Sequence, residues 1–274
     1  TRLGFENNEI SYMKYKAYSE AFGNSIKLIP MDGRIDALRQ IKTDEEIEKL
    51  AEAEKIGDIA FERIVDYLRE NVKNNITEMD VALELEYAMR KNGASGLSFD
   101  TIAASGNNSS LPHAVPGNRI LKDGDFLTMD FGCTYEGYCS DMTRTVYIGN
   151  TPSDKQLEIY NTVLKAQLKA LDMVKPGVKC SEVDACARDI ISAAGYGKYF
   201  GHGLGHSVGL FIHEEPRFSR KCDDILASGV VITVEPGIYL PGEFGVRIED
   251  MIVVTDDGYK NLAGSPKELI KISL

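Results

Sequence analysis

No stretch of the sequence stays apolar for the ~20 residues that a membrane span requires. Nor does the amino terminus place a basic region before an apolar run, so neither a membrane anchor nor a signal peptide is expected. Positive charge is short as well: 31 Lys and Arg stand against 42 Asp and Glu, a net charge of −11. A nucleic-acid partner needs a basic face, so that class of function is excluded. Cysteine is sparse, odd in number and unpaired in sequence. Cys133, Cys139, Cys180, Cys186 and Cys222 include no C-x-x-C pair. In a chain of 274 residues this argues against a disulfide framework and predicts mostly buried thiols in a reducing, cytoplasmic compartment. Histidine is scarcer still, with four in the whole chain.

What is present is enough apolar sequence, 43%, to bury a sizeable core in one large domain or two small ones. Residues 1–40 are broken into short pieces by Asn7, Asn8, Gly23, Asn24, Pro30 and Gly33, and are expected to be the end of a preceding unit. The chain opens on Thr1 rather than Met, as a fragment of a longer protein would. Helical signals then begin. Thr43-Asp44-Glu45-Glu46 is a capping box. Ile47, Leu50, Ala53, Ile56, Ala60, Ile64 and Leu68 recur at steps of three and four, predicting a helix over 43–71. Thr77 caps a second helix ending near Asn92-Gly93, and two more are predicted at 153–173 and 181–194.

Strands are predicted at 126–130, 143–148, 230–235 and 246–254. The order is helix, helix, hairpin, helix, helix, hairpin, a two-fold echo without sequence repetition. It predicts an α+β domain with helices covering an antiparallel-rich sheet.

Both hairpins carry acids in otherwise apolar strands. Centring the first turn between Tyr135 and Glu136 pairs Asp130 with Asp141. Centring the second on Gly242 pairs Glu235 with Glu249, with Arg247 on the same face as Glu249. Opposed residues lie ~4.5–5.5 Å apart, so each pair repels unless a proton or cation sits between. One such acid would be an ordinary solvated strand residue; two facing pairs point to cations.

Three of the four histidines, His202, His206 and His213, fall in the glycine-rich stretch Gly201–Pro216, whose glycines argue against a helix and allow close backbone approach. His113 follows 103–112, which reads as a polar loop of little packing value, suited to substrate contact. Four carboxylates with an imidazole and no thiolate form a hard donor set, favouring Mn²⁺, Co²⁺, Fe²⁺ or Zn²⁺. Four negative charges suit two divalent ions better than one, and the reaction class predicted is metal-assisted hydrolysis.

In order and spacing these residues resemble the pita-bread metallopeptidases, which include methionine aminopeptidase, aminopeptidase P and prolidase, over about residues 40–274. Gly201–His213 with Glu214 and Pro216, Glu235-Pro-Gly, Arg247-Ile-Glu249-Asp250 and Ser140-Asp141-Met-Thr-Arg-Thr look like the Xaa-Pro branch. The resemblance implies a fold of two pseudo-symmetric halves, helices packed on a curved antiparallel-rich sheet. It implies a catalytic domain over 41–274, preceded at 1–40 by the remnant of an amino-terminal domain, and a homodimer for the full-length form. It implies two divalent ions, Mn²⁺ foremost, held by Asp130, Asp141, His206, Glu235 and Glu249. Glu235 would be the general base. His213 would bond the scissile carbonyl, His113 would contact the substrate near that bond, and His202 would line the pocket for proline. Arg247 would orient the carboxylates, and Tyr239 is a lesser candidate. The implied substrate is a peptide with proline second, cleaved before the proline. Methionine aminopeptidase is the alternative within the class, and a non-catalytic peptide-binding module the alternative outside it. A creatine-cleaving hydrolase fits poorly, because that chemistry works without the metals these ligands imply.

Overall fold

Residues 1–40 alternate short strands and helices: β1 (Arg2–Phe5), α1 (Tyr12–Phe22), β2 (Lys27–Pro30) and α2 (Arg34–Arg39), with β1 and β2 paired in parallel. No residue in this segment is buried. The structure, a computed structural model, describes all residues from Thr1 to Leu274.

The first half of the remainder starts with α3 (Asp44–Asn71) and α4 (Glu78–Lys91). The Thr43 hydroxyl accepts the Glu46 N–H while the Glu46 carboxylate accepts the Thr43 N–H, and Thr77 and Asp80 repeat this box on α4. Both helices lay their apolar stripes on the strands that follow: β3 (Gly96–Leu97), β4 (Ile102–Ser105), β5 (Phe126–Phe131), β6 (Cys133–Tyr135), β7 (Tyr138–Cys139) and β8 (Met142–Ile148). The second half repeats the plan. Helices α5 (Asp154–Met173), capped by Ser153 and Gln156, and α6 (Cys180–Ala193) cover β9 (Gly205–Ser207), β10 (Glu214–Phe218), β11 (Val231–Val234), β12 (Gly237–Leu240), β13 (Phe244–Arg247), β14 (Asp250–Val254) and β15 (Tyr259–Asn261). Strand β16 (Lys271–Ile272) returns to the first half and pairs in parallel with β8. The main sheets run β16-β8-β5-β4 and β10-β9-β11-β14-β15, and apart from β1–β2 and β16–β8 all ladders are antiparallel.

Each half buries its own apolar cluster. One is built on Leu85, Met129 and Phe131, the other on Val163, Ile191 and Ile232. Between them runs a polar seam. Thr128, Thr143 and Thr145 point from β5 and β8 towards β13, where the Thr145 hydroxyl donates to the Arg247 carbonyl at 2.9 Å. Arg144, almost fully buried, donates to Asp250 Oδ1 at 2.8 Å and to the carbonyls of Glu249, Ser265 and Pro266. Asp250 Oδ2 accepts from Gln167, Asn261 and Lys267 as well. This ion cluster stitches the halves together beside apolar contacts, among them Phe126 against Phe244 and Leu50 with Val231 and Met251.

Two expectations fail here, for reasons of packing. The strand expected at 246–254 is broken at Ile248–Glu249, and its two pieces lie in different sheets. The break frees the Glu249 N–H to donate across the seam to the Thr143 carbonyl at 3.1 Å. The segment 103–112 is not a loosely packed loop. Ala103–Ser105 are buried in β4, and Gly106–Ser110 form a 3₁₀ turn. Its polar groups are buried because Glu78 satisfies them. That carboxylate, itself buried, accepts from the Ser105 N–H (2.7 Å) and hydroxyl, the Asn108 amide and the Gly117 N–H.

Candidate metal centre

The first hairpin turns at Glu136-Gly137, where both residues have positive φ, the backbone of a tight two-residue turn. The turn centre thus lies one residue beyond the expected position, and the register moves by two. Asp130 pairs with Thr143, and the same register sets Asp141 opposite Gly132 rather than Asp130. A slip of one would have sent Asp141 to the other face; a slip of two keeps it beside Asp130. Gly132 is required where it stands, because any Cβ there would strike the Ser140 carbonyl.

The second hairpin keeps the expected register. Gly237 pairs with Arg247 and Val234 with Asp250, which leaves Glu235 facing Glu249 in the gap between the two ladders. His206 comes from β9, which packs so closely on β11 that a Cβ at Gly205 would strike the Thr233 carbonyl. The His206 Nδ1 faces its neighbour's carbonyl at 3.2 Å, leaving Nε2 for the site. That Nε2 lies 3.4 Å from Asp141 Oδ2 and 3.6 Å from Glu235 Oε1. Asp141, His206 and Glu249 each present a ligand atom, all within 4.8 Å of one another. Asp130 is drawn to one side by Arg247, whose Nη2 donates to its Oδ2 at 2.6 Å.

Nine of the ten residues singled out from the sequence, all but Tyr239, line one cavity of about 700 Å³: Asp130, Asp141, His206, Glu235, Glu249, Arg247, His113, His202 and His213. Arg247 organises its floor. Its guanidinium donates to Asp130, to the Thr143 hydroxyl (3.0 Å) and to the Tyr239 hydroxyl (2.8 Å). Tyr239 in turn meets His202 Nε2 at 2.9 Å, while His202 Nδ1 faces the Gly203 carbonyl at 2.8 Å. Both His202 nitrogens are therefore engaged by the protein. His113 and His213 make no hydrogen bond to the protein and are open to a ligand; the His213 ring packs edge-on against His206, centroids 4.4 Å apart.

The electrostatics follow from burial. Desolvation, then repulsion from Asp130 and Glu235, holds the Asp141 carboxyl well above the ordinary range. Burial, then repulsion from Asp141, does the same for Glu249. Burial pushes Glu235 up to about 7, although His206 and Arg247 oppose it. Burial, with Arg247 second, brings His202 down to about 4; burial, with His206 second, brings His213 down to about 4, so both rings are neutral at pH 7.

The donor set fits divalent cations. Asp130 Oδ1 and Glu249 Oε1 are buried and have no hydrogen-bond partner, and an orphaned carboxylate oxygen is costly unless a cation meets it. The acids also carry the hard oxygen chemistry of such sites.

The sequence reading missed three supporting groups. Thr143 donates to Glu249 Oε2 at 2.7 Å, and Thr233 bridges the His206 N–H and Glu235. Glu54, fully buried on α3, accepts the Asp141 N–H at 3.3 Å. A signal for Glu54 existed: an acid on the buried stripe between Leu50 and Gly57. The threonines carry none, since Thr is at home in any strand.

Against known proteins, the model of metallopeptidase family M24 matches residues 48–256. The Xaa-Pro dipeptidase of Pyrococcus furiosus is 44% identical over 268 residues, 98% of this chain and 75% of the relative. Among solved structures, an Xaa-Pro dipeptidase from Bacillus anthracis superposes with a TM-score of 0.94 at 49% identity, covering 99% of this chain and 74% of the other. An X-Pro aminopeptidase from Thermotoga maritima gives 0.92 at 42% identity, with 99% and 76% covered. The two-half architecture is thus the pita-bread fold expected from the sequence.

Proposed function

The chain belongs to metallopeptidase family M24, and from that premise we propose that it is a dinuclear-metal exopeptidase cleaving the bond between an amino-terminal residue and proline. The observation that carries this reading is the convergence of four carboxylates and His206 on one cavity, with two buried carboxylate oxygens left without partners. Asp130, Asp141, His206, Glu235 and Glu249 would hold two divalent ions, Mn²⁺ foremost, with Co²⁺, Zn²⁺ or Fe²⁺ also suited to the donors. Bound there, the ions would supply Lewis acidity and a water acidic enough to attack at neutral pH.

The chain's own residues do the rest. Glu235 takes a proton from the attacking water and returns it to the proline nitrogen as the C–N bond breaks. His213, neutral at working pH, donates a hydrogen bond to the scissile carbonyl oxygen as charge gathers on it. His113, exposed in the same cavity, contacts the substrate near the scissile bond. The edge of the His202 ring, fixed by Tyr239 and Gly203, lines the pocket for proline. Arg247 holds the carboxylates in place. No helix is long and apolar enough to cross a membrane. Three of the five cysteines are buried as thiols, which supports the cytoplasmic assignment. The absence of any buried residue before Lys42 supports a boundary near residue 40 between a catalytic unit and an amino-terminal domain through which a full-length form would dimerise.

The test is hydrolysis of Xaa-Pro, Xaa-Pro-Yaa and Met-Ala-Yaa peptides by metal-stripped protein with Mn²⁺, Co²⁺ or Zn²⁺ restored, beside Glu235→Ala. Expected is metal-dependent release of the residue before proline, reduced at least 10²- to 10⁴-fold in the variant, the range for loss of a general base. Preference for Met-Ala-Yaa would indicate a methionine aminopeptidase. Stoichiometric metal with no turnover of any peptide would indicate a binding module.

A further inference from the structure

Glu214 is an acid that the proposed chemistry does not use, yet its side chain is only 7% exposed. It immediately follows His213. Its Oε1 accepts the Phe211 N–H at 3.1 Å, which closes the 209–214 loop on itself, and Gly209 N–H donates to the Phe211 carbonyl at 3.0 Å within the same loop. A Cβ at Gly209 would lie 2.6 Å from the Glu214 carboxylate, so any larger residue there would displace that carboxylate. Two cations from outside the loop hold that carboxylate. Lys42 Nζ, 2% exposed, donates to Oε2 at 3.2 Å, and Arg39 Nη2 donates to Oε1. Arg39 also lies over the Phe211 ring, 4.5 Å from its centroid. Lys42 is itself anchored: its N–H donates to the Gly229 carbonyl at 2.9 Å, and Ile41 bridges Val230.

His213 makes no hydrogen bond of its own to the protein, so its place above His206 is set by the loop that carries it. We propose that Glu214 is a positioning residue that fixes His213 over the metal ligands, with Lys42 and Arg39 as its clamp, so that the segment joining α2 to α3 controls the geometry of the substrate cavity. A buried carboxylate between two cations is rigid where a neutral amide would not be, because removing its charge leaves Lys42 buried and unpaired. The inference rests on the hydrolase reading for its effect on rate, not for its effect on the His213 ring.

Four histidines make this measurable. In Zn²⁺-loaded protein with isotope-labelled imidazoles, the four ring signals can be assigned by single His→Gln substitutions. The His213 signal then carries the ring current of His206. Glu214→Gln is expected to shift or broaden the His213 signal and leave that of His202 in place. It is expected to lower kcat for an Xaa-Pro dipeptide about 10²-fold, the scale for a misplacement near 1 Å, with bound metal unchanged. In a His213→Ala background the same change should cost less than about 3-fold more, because its effect runs through His213. Arg39→Gln, at a partly exposed site, serves if Glu214→Gln fails to fold, and should move the same signal. An unmoved His213 signal in the folded variants, or losses that multiply in the His213→Ala background, would overturn the proposal. If the protein hydrolyses nothing, the ring signal still decides it, so the two readings fail separately.

Discussion

Glu235, Asp141 and Glu249 are each held above the ordinary carboxylate range, first by burial. Without metal, the folded chain therefore keeps protons that the unfolded chain has released. A raised carboxyl contributes stability that is full below its unfolded pKa of about 4.3 and is lost as pH rises through its folded value, about 7 for Glu235. Asp250 works in the opposite sense. Its pKa is lowered, with burial overcome by Arg144 and Lys267, but its contribution is lost only below the ordinary Asp range. Between pH 5 and 8 His202 and His213, lowered to about 4, gain stability as the unfolded imidazoles deprotonate, while the three carboxyls lose stability as they give up their own protons. Divalent metal, which replaces those protons, should raise Tm more at pH 8 than at pH 5. Melting curves of stripped and loaded protein at the two pH values check this; a metal-induced rise in Tm that is no larger at pH 8 than at pH 5 counts against it. At this scale the sequence was most informative where a residue type was out of place. An acid in an apolar strand or three histidines among glycines announced themselves. Tyr239, by contrast, could equally have been packing; only its position between Arg247 and His202 reveals a role.

At the scale of elements, the four long helices after residue 42 were legible to within a residue or two, three of them from caps written in side chains at Thr43, Thr77 and Ser153, whereas the exposed α1 and α2, without a buried stripe, were not. Hairpin register was legible only where the turn residue was unambiguous. Gly242 centred the second hairpin correctly, whereas Glu136, a non-glycine with φ of 46°, concealed the centre of the first. The break at Ile248–Glu249 was not legible at all, since the partner that takes up the freed Glu249 N–H, Thr143, is distant in sequence. The same seam gives the next prediction. Arg144 and Asp250 are a buried ion pair whose members each satisfy further buried groups. Removing one member of such a pair destabilises by about 3–5 kcal/mol, whatever the worth of the pair as a whole. Arg144→Ala should therefore lower the urea unfolding free energy by that amount, while a loss under about 1 kcal/mol would mean that the seam is held by other contacts.

For the whole molecule, the repeated order of two helices and a hairpin foretold two similar halves, and each half is built around its own large apolar cluster, with Phe126 and Tyr147 of the first half reaching into that of the second. The sequence could not foretell how they join. The mating faces mix threonines, an arginine and an aspartate with scattered apolar residues such as Leu50 and Phe126, and neither kind marks an interface by periodicity. That polar seam explains why the site lies where it does. Asp130 and Asp141 come from one half, His206, Glu235 and Glu249 from the other, and cations between the halves would neutralise charge that neither half could bury alone. The most direct test of this account is a titration of metal-stripped chain with divalent metal, following bound metal and cleavage of an Xaa-Pro dipeptide together. The account predicts cleavage that rises with occupancy and reaches its plateau at two ions per chain; saturation at a single ion, or two ions bound with no cleavage, would contradict it.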